Sequence, residues 1–485
     1  LPIYLSKVTW KKFAEGLHEP FGMFYQDGAL TLTQRPEVTR IRDNDGDGLA
    51  DSFRTINSDW GSAGNYHEYA FGSPPDKEGN IWVALCLTGS AAAGSDWRGW
   101  CMRITPDGKM IPTCSGIRSP GGIGFNSTGD AFYTDNQGLW NGSSSLKWLK
   151  PGSFQGNPVG NKYHTLANLP APPEPAEPSR ILAERLKHPE FIPPAVILPH
   201  GKVGQSPTGI ACDQTGGKFG PWAKQLYVGE QTHSQVQRVC LEKVNGLYQG
   251  AVFHFLEGFE AGLIPVRLDQ QAGVLFTGGS NRGWASRGSK PFTFERVKWT
   301  GKTPFEIETM TANNDGFTLN FTAPVDPATA GNPASYAMDA FTYIFQAEYG
   351  SPEVDKSTPK ITAATITRMT LLEIQPGSTG PCIARPTGPG LGRLAIRWIW
   401  QTQTKRRTIP RMNMPDRENP TKAPNPDRIT STSDTPATFR PRLFRKSPTN
   451  PINASQPPTR FTRVHAGETT ATGFHFSKSG RVSCW

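Results

Sequence analysis

The chain of 485 residues holds 51 Gly and 44 Pro and a formal net charge of +10. That length allows two or three domains, and the Gly and Pro content with scarce helical periodicity points to an all-β, turn-rich architecture. No run of about 18 apolar residues occurs, which excludes a membrane-spanning helix; no signal peptide is visible either. The chain begins at Leu1, not Met, and reads as a mature form or a fragment.

The positive charge belongs to the tail. From Ile361 onward there are 19 Lys+Arg and 6 Asp+Glu, which leaves 32 against 35 for the rest. The body is near neutral, and the dispersed basic residues with few aromatics between them argue against a nucleic-acid partner. Seven cysteines occur without a CxxC or CxxCH pair, so neither a zinc ribbon nor a c-type haem site is encoded. For Cys101 and Cys114 two readings stand, a hairpin disulfide and buried free thiols.

In chain order, the alternation around Gln26-Asp-Gly28 predicts a hairpin, with a short strand following at Val38–Ile41. A unit of turn, Gly or Asp, then β-formers recurs: Glu78-Gly-Asn-Ile-Trp-Val83, Thr128-Gly-Asp-Ala-Phe-Tyr133, Lys224-Gln-Leu-Tyr-Val228 and Ala272-Gly-Val-Leu-Phe276. Strands begin near 29, 80, 130, 225 and 273, at spacings of roughly 50, 50, 95 and 48 residues, the size of a propeller blade. The expectation is a six-bladed β-propeller over 1–302 with five blades visible. The wide interval, centred on the Pro-rich loop 170–178, holds either a degenerate sixth blade or an insertion. Residues 303–366 read as a small Ig-like β-sandwich, because Gly316-Phe-Thr-Leu-Asn-Phe-Thr322 alternates strictly. Residues 367–485, rich in Pro, Arg, Ser and Thr, read as a disordered or out-of-frame tail.

Asp43-Asn-Asp-Gly-Asp-Gly-Leu-Ala-Asp51 is the sharpest local motif. Asp43, Asp45, Asp47 and Asp51 crowd carboxylates onto a glycine-bent loop, which suits calcium; Arg54 stands where an EF-hand needs Glu. The other reading is an acidic hairpin tip. Trp97, Trp100, Trp140 and Trp284 suit sugar stacking or blade packing.

Several longer stretches share a pattern: Gly16-Leu-His-Glu-Pro-Phe-Gly22, Gln34-Arg-Pro-Glu-Val-Thr-Arg-Ile41, Gly64-Asn-Tyr-His-Glu-Tyr-Ala-Phe-Gly72, Gly204-Gln-Ser-Pro207, Val244-Asn-Gly-Leu-Tyr-Gln-Gly250 and Trp299-Thr-Gly-Lys-Thr-Pro-Phe-Glu306. Over about residues 15–365 these resemble the "membrane-bound dehydrogenase domain" proteins of planctomycete-type bacteria, similar in turn to glucose/sorbosone dehydrogenases, six-bladed propellers that bind pyrroloquinoline quinone and calcium. The resemblance implies a quinone-dependent dehydrogenase of an aldose or related polyol, exported to the periplasm, cell surface or medium. His67, just before Phe71-Gly72, falls where those enzymes keep a general base, and Glu68 is then placed to orient its ring or to face solvent. Arg118 matches a cofactor-binding arginine, although Ser119 replaces the Asn that follows it in the family. Asp135 and Asn136 match polar residues facing the site, and Arg267 and Arg282 are candidates to add positive charge there. The alternative reading is a non-catalytic propeller that binds carbohydrate or a protein partner.

Overall fold

The computed structural model describes residues 10–65, 67–87, 94–281, 284–313, 315–376 and 461–465. Four-stranded antiparallel meanders follow one another along the chain. The first joins β1 (Gly22–Gln26), β2 (Ala29–Thr33), β3 (Val38–Arg42) and β4 (Ser52–Asn57). The second joins β5 (Ala70–Pro75), β6 (Ile81–Leu85), β7 (Trp100–Ile104) and β8 (Met110–Ser115). The third joins β9 (Pro120–Phe125), β10 (Ala131–Asp135), β11 (Ser144–Trp148) and β12 (Val196–Leu198). The fourth joins β13 (Pro207–Cys212), β14 (Leu226–Glu230), β15 (Gln235–Val244) and β16 (Leu247–Leu256). The fifth starts with β17 (Leu263–Asp269), β18 (Val274–Ser280) and β19 (Phe292–Trp299).

Consecutive sheets stack face to face. Val38 of the first sheet packs with Val83 and Met102 of the second. Trp82 and Cys101 of the second pack with Ile123 and Tyr133 of the third. Phe132 and Leu146 of the third meet Ile210 and Val228 of the fourth, and Tyr227 and Val236 of the fourth meet Leu263 and Leu275 of the fifth. Each fully buried aliphatic or aromatic side chain in these seams contributes about 1.5–3 kcal/mol. The first strands of consecutive sheets touch, so the sheets radiate from them like propeller blades. Glycine makes that convergence possible: a Cβ on Gly122 of β9 would stand 2.8 Å from the Cα of Gly209 on β13.

Five such sheets are found among the described residues. The long interval is an insertion inside the third sheet, between β11 and β12, built from short helical turns at Pro158–Tyr163, His164–Ala167 and Ile181–Lys187. Next to the fifth sheet lies the segment before β1: Trp10 sits edge-on to Phe294 at 5.8 Å, and Phe13, Ala14 and Leu17 cover Leu32 and Ile41 of the first sheet.

Beyond β19 come β20 (Ile307–Ala312), β21 (Phe317–Phe321), β22 (Ala340–Tyr343), β23 (Glu353–Ser357), β24 (Ile361–Arg368) and β25 (Leu371–Pro376). Four of them form a sheet in the order β20-β21-β25-β24, which continues past residue 366. Its core, with Leu319, Phe321 and Ile374, packs on Ala251 and Phe253 of β16. The hairpin β22-β23 instead lies on the third sheet, where Phe341 and Tyr343 pack on Ile197. A last strand, β26 (Phe461–His465), pairs antiparallel with β19 and completes the fifth sheet. The rest of the predicted tail, 377–460 and 466–485, lies outside the described residues.

Among the described residues Cys86, Cys101, Cys114, Cys212 and Cys240 are free and buried. Cys101 and Cys114 are direct partners across β7 and β8. Burial pushes the Cys114 thiol up to about 12, which keeps it protonated.

Candidate active site at one end of the sheets

In a meander, successive loops alternate between the two ends of the sheet. The β2–β3, β4–β5, β6–β7, β8–β9 and β10–β11 loops therefore share one end, called here the upper end. His67, Glu68, Arg118 and Asn136 all lie in these loops, and Asp135 closes β10 beneath them.

His67 sits in the β4–β5 loop with its imidazole at the surface and its backbone N–H donated to Asn65 Oδ1 at 2.9 Å. Partial burial, then the guanidinium groups of Arg118 and Arg35, lower its pKa from the ordinary value. Both effects disfavour the protonated ring; Arg35 is itself ion-paired with Glu19.

Glu68 neither orients the His67 ring nor faces solvent. Its carboxylate turns inward and accepts from the backbone N–H groups of Ala63 at 2.8 Å, Gly94 at 2.8 Å and Ser95 at 3.0 Å. Burial raises its pKa, but these amides and the Arg98 charge outweigh that and hold it below the usual carboxylate range. Arg98, wholly buried, donates to the Ser95 hydroxyl and to the carbonyls of Tyr69 and Gly61, and so ties the β4–β5 and β6–β7 loops together.

Arg118 is buried in the β8–β9 loop. Its Nη1 donates to the carbonyls of Asn136 (3.2 Å) and Gln137 (2.6 Å), and its guanidinium lies 5.2 Å from the ring centre of Tyr349. Two buried polar atoms here have no partner, Arg118 Nε and Asn136 Oδ1. A carboxylate-bearing group would give the Arg118 Nε donor a partner.

Asp135 is fully buried and committed elsewhere. Its Oδ2 pairs with Lys147 Nζ at 2.8 Å and accepts from Tyr133 Oη at 3.1 Å, while Oδ1 accepts from Ser119 N at 3.3 Å. The expectation that it faces a ligand gives way to a structural role: it fixes the backbone beside Arg118. Arg267 lies on β17, four residues below the upper end, and donates to Val266 O. Its side chain reaches solvent, yet the protein around it desolvates it and lowers its pKa. Arg282 lies outside the described residues.

The acidic loop joins β3 to β4, so it stands at the lower end, away from His67. Single carboxylate oxygens of Asp43, Asp45 and Asp51 gather within 4.8 Å of one another. Asp47 is not in that group; its Oδ1 accepts from Leu49 N at 2.7 Å.

The structure therefore brings together His67, Arg118 and Asn136, with Asp135 behind them, and leaves Arg267 and the acidic loop apart. Sequence reasoning missed Arg35, Lys147 and Tyr349. Arg35 stands inside the quoted Gln34-Arg-Pro-Glu stretch, and Lys147 interrupts an otherwise uncharged strand, Ser144-Ser-Leu-Lys-Trp148; both were signals. Tyr349 carries none, because only the fold places it over Arg118.

Residues 9–249 match a family model described as a domain of unknown function (DUF7133). By sequence, no curated protein matches the chain. Among solved structures, a putative oxidoreductase (glucose dehydrogenase) from Thermus thermophilus is 17% identical, with a TM-score of 0.39, covering 57% of this chain and 94% of that one. The PQQ-bound aldose sugar dehydrogenase from Streptomyces coelicolor is 15% identical, with a TM-score of 0.31, covering 59% and 96%. The PQQ domain of pyranose dehydrogenase from Coprinopsis cinerea is 12% identical, with a TM-score of 0.29, covering 54% and 91%.

The Asp135–Lys147 pair gives a direct test of the site's foundations. Asp135→Ala leaves a buried ammonium unpaired and is expected to cost about 3–5 kcal/mol, read as a lower urea midpoint at unchanged slope. Replacing both residues, Asp135→Leu with Lys147→Met, is expected to recover much of that loss. A loss below about 1 kcal/mol for the single variant, the worth of a surface pair, would contradict the structural role.

Proposed function

We propose that this propeller is a quinone-dependent dehydrogenase of an aldose or related polyol, with His67 as general base. The observation that carries the proposal is the place of the His67 imidazole, in an upper-end loop that shares its end with Arg118 and Asn136, where burial and then the charges of Arg118 and Arg35 lower its pKa. A neutral imidazole accepts a hydroxyl proton, and the neighbouring guanidinium groups favour the negative charge that develops on the oxygen. The unpartnered Arg118 Nε is a donor that would hold a carboxylate of pyrroloquinoline quinone, which would supply the hydride acceptor. Asp135 and Lys147 act behind these residues by fixing the β8–β9 loop, and Arg98 with Glu68 fixes the loop that carries His67.

A second reading, a carbohydrate binder without turnover, is favoured by two exposed rings at the same end, Trp284 and Tyr349. Reconstitution with the quinone and calcium, then gel filtration and dye reduction with aldoses, separates the two. The dehydrogenase reading expects quinone absorbance to co-elute with the protein and turnover to fall about 10²-fold or more in His67→Ala, with quinone still bound. Absence of co-eluting quinone, or unchanged turnover in His67→Ala, would sink it.

We also infer a structural calcium at Asp43, Asp45 and Asp51, far from the chemistry. The gathered carboxylates support it, since their mutual repulsion, only partly offset by the backbone N–H groups of Asn44, Gly46, Asp47 and Gly48, favours a cation. Calorimetric titration of the wild type is expected to show calcium binding that Asp45→Ala with Asp51→Ala abolishes. Equal heats from both proteins would remove this ion.

A further inference from the structure

The module after β19 reaches back to the upper end of the propeller. Segment 343–351 runs between the β10–β11 loop and the third-sheet insertion and is bonded to both. Trp140 N donates to Gln346 O at 2.9 Å, Gly350 N to Gly138 O at 2.9 Å and Ser351 N to Gly142 O at 3.1 Å. On the other side, Ser179 and Phe345 exchange backbone hydrogen bonds, both at 3.0 Å. Phe345 is anchored among Phe154 and Phe191, with Trp140 at 5.2 Å. A turn this heavily bonded is held rigidly. Gly350, at φ +71°, sits in a left-handed conformation where a Cβ would also meet Gln137 at 2.8 Å.

The product of this clamp is one side chain. Tyr349 forms a backbone bridge with Leu139, and its ring lies over the Arg118 guanidinium at 5.2 Å. Two-thirds of the residue, 66%, nevertheless remains open to solvent. A large aromatic ring that is held rigidly, backed by a cation and open on its outer side offers a ready stacking face.

We propose that Tyr349 is the outer wall of the Arg118 site, a platform on which the apolar C–H face of a pyranose ring stacks, and that the appended module thereby sets substrate specificity. Rings with one apolar and one hydroxylated aspect suit this pairing. The carbon-bound hydrogens lie on the tyrosine, and the hydroxyls turn toward the polar upper loops. The inference rests on reading this end as a carbohydrate site, but it does not require oxidation.

Saturation-transfer NMR without quinone tests it, using glucose, cellobiose and laminaribiose with irradiation of the aromatic protons. Wild type is expected to transfer saturation to the ring protons of at least one sugar. Tyr349→Ala is expected to weaken that sugar's affinity about tenfold, while Tyr349→Phe, which keeps the ring, stays within about twofold. Thermal unfolding of both variants checks that the fold persists. Equal affinity in Tyr349→Ala, or no transfer from wild type to any of the three sugars, would overturn the proposal. Sugar binding that depends on Tyr349 in a protein that never reduces dye would sink the dehydrogenase reading and leave this one standing.

Discussion

Buried carboxylates that accept backbone N–H groups hold the upper end of this molecule in place. An unpaired buried N–H is costly. Glu68 takes the amides of Ala63, Gly94 and Ser95, and Asp135 takes that of Ser119. Glu230, at the end of β14, repeats the device with the amides of Gln205, Ser206 and His233. Charge-assisted bonds of this kind are about twice as strong as neutral ones, and Glu68 and Glu230 each take amides from two loops. His67, Arg118 and Asn136 inherit their positions from these anchors.

The same device divides the acidic residues by role. In the sequence Asp135 matches a residue facing the site and Glu68 reads as orienting His67 or facing solvent, yet both are consumed in binding the chain to itself. Arg98 is likewise spent on Tyr69 O and Gly61 O. The anchors surround His67, with its lowered pKa, and two buried atoms without a partner, Arg118 Nε and Asn136 Oδ1.

The repeat was legible because its signal is local. A Gly or Asp turn followed by β-formers marks the second strand of each sheet, and β2, β6, β10, β14 and β18 begin within about a residue of the expected positions. The wide interval stayed ambiguous because spacing cannot tell a weak blade from an insertion between β11 and β12. The Asp135–Lys147 pair was hidden for another reason: it joins residues on adjacent strands whose inward direction no pattern of apolar residues reports. Tyr349 was beyond reach, since its contact with Arg118 spans the whole of the fourth and fifth sheets. Of the candidate site, the matched motifs carried His67, Arg118 and Asn136, whereas the neighbouring acids Asp135 and Glu68 are consumed in bonds to the chain itself.

The central claim is that His67 is a neutral base because it is partly buried beside Arg118 and Arg35. Its pKa can be measured directly by NMR titration of the His67 ring, in wild type and in Arg118→Gln. The wild-type value is expected to lie below the ordinary histidine value of about 6.5. A rise is expected in Arg118→Gln, since removing a nearby positive charge makes protonation easier. A wild-type value at or above the ordinary one, or no rise in the variant, would contradict it.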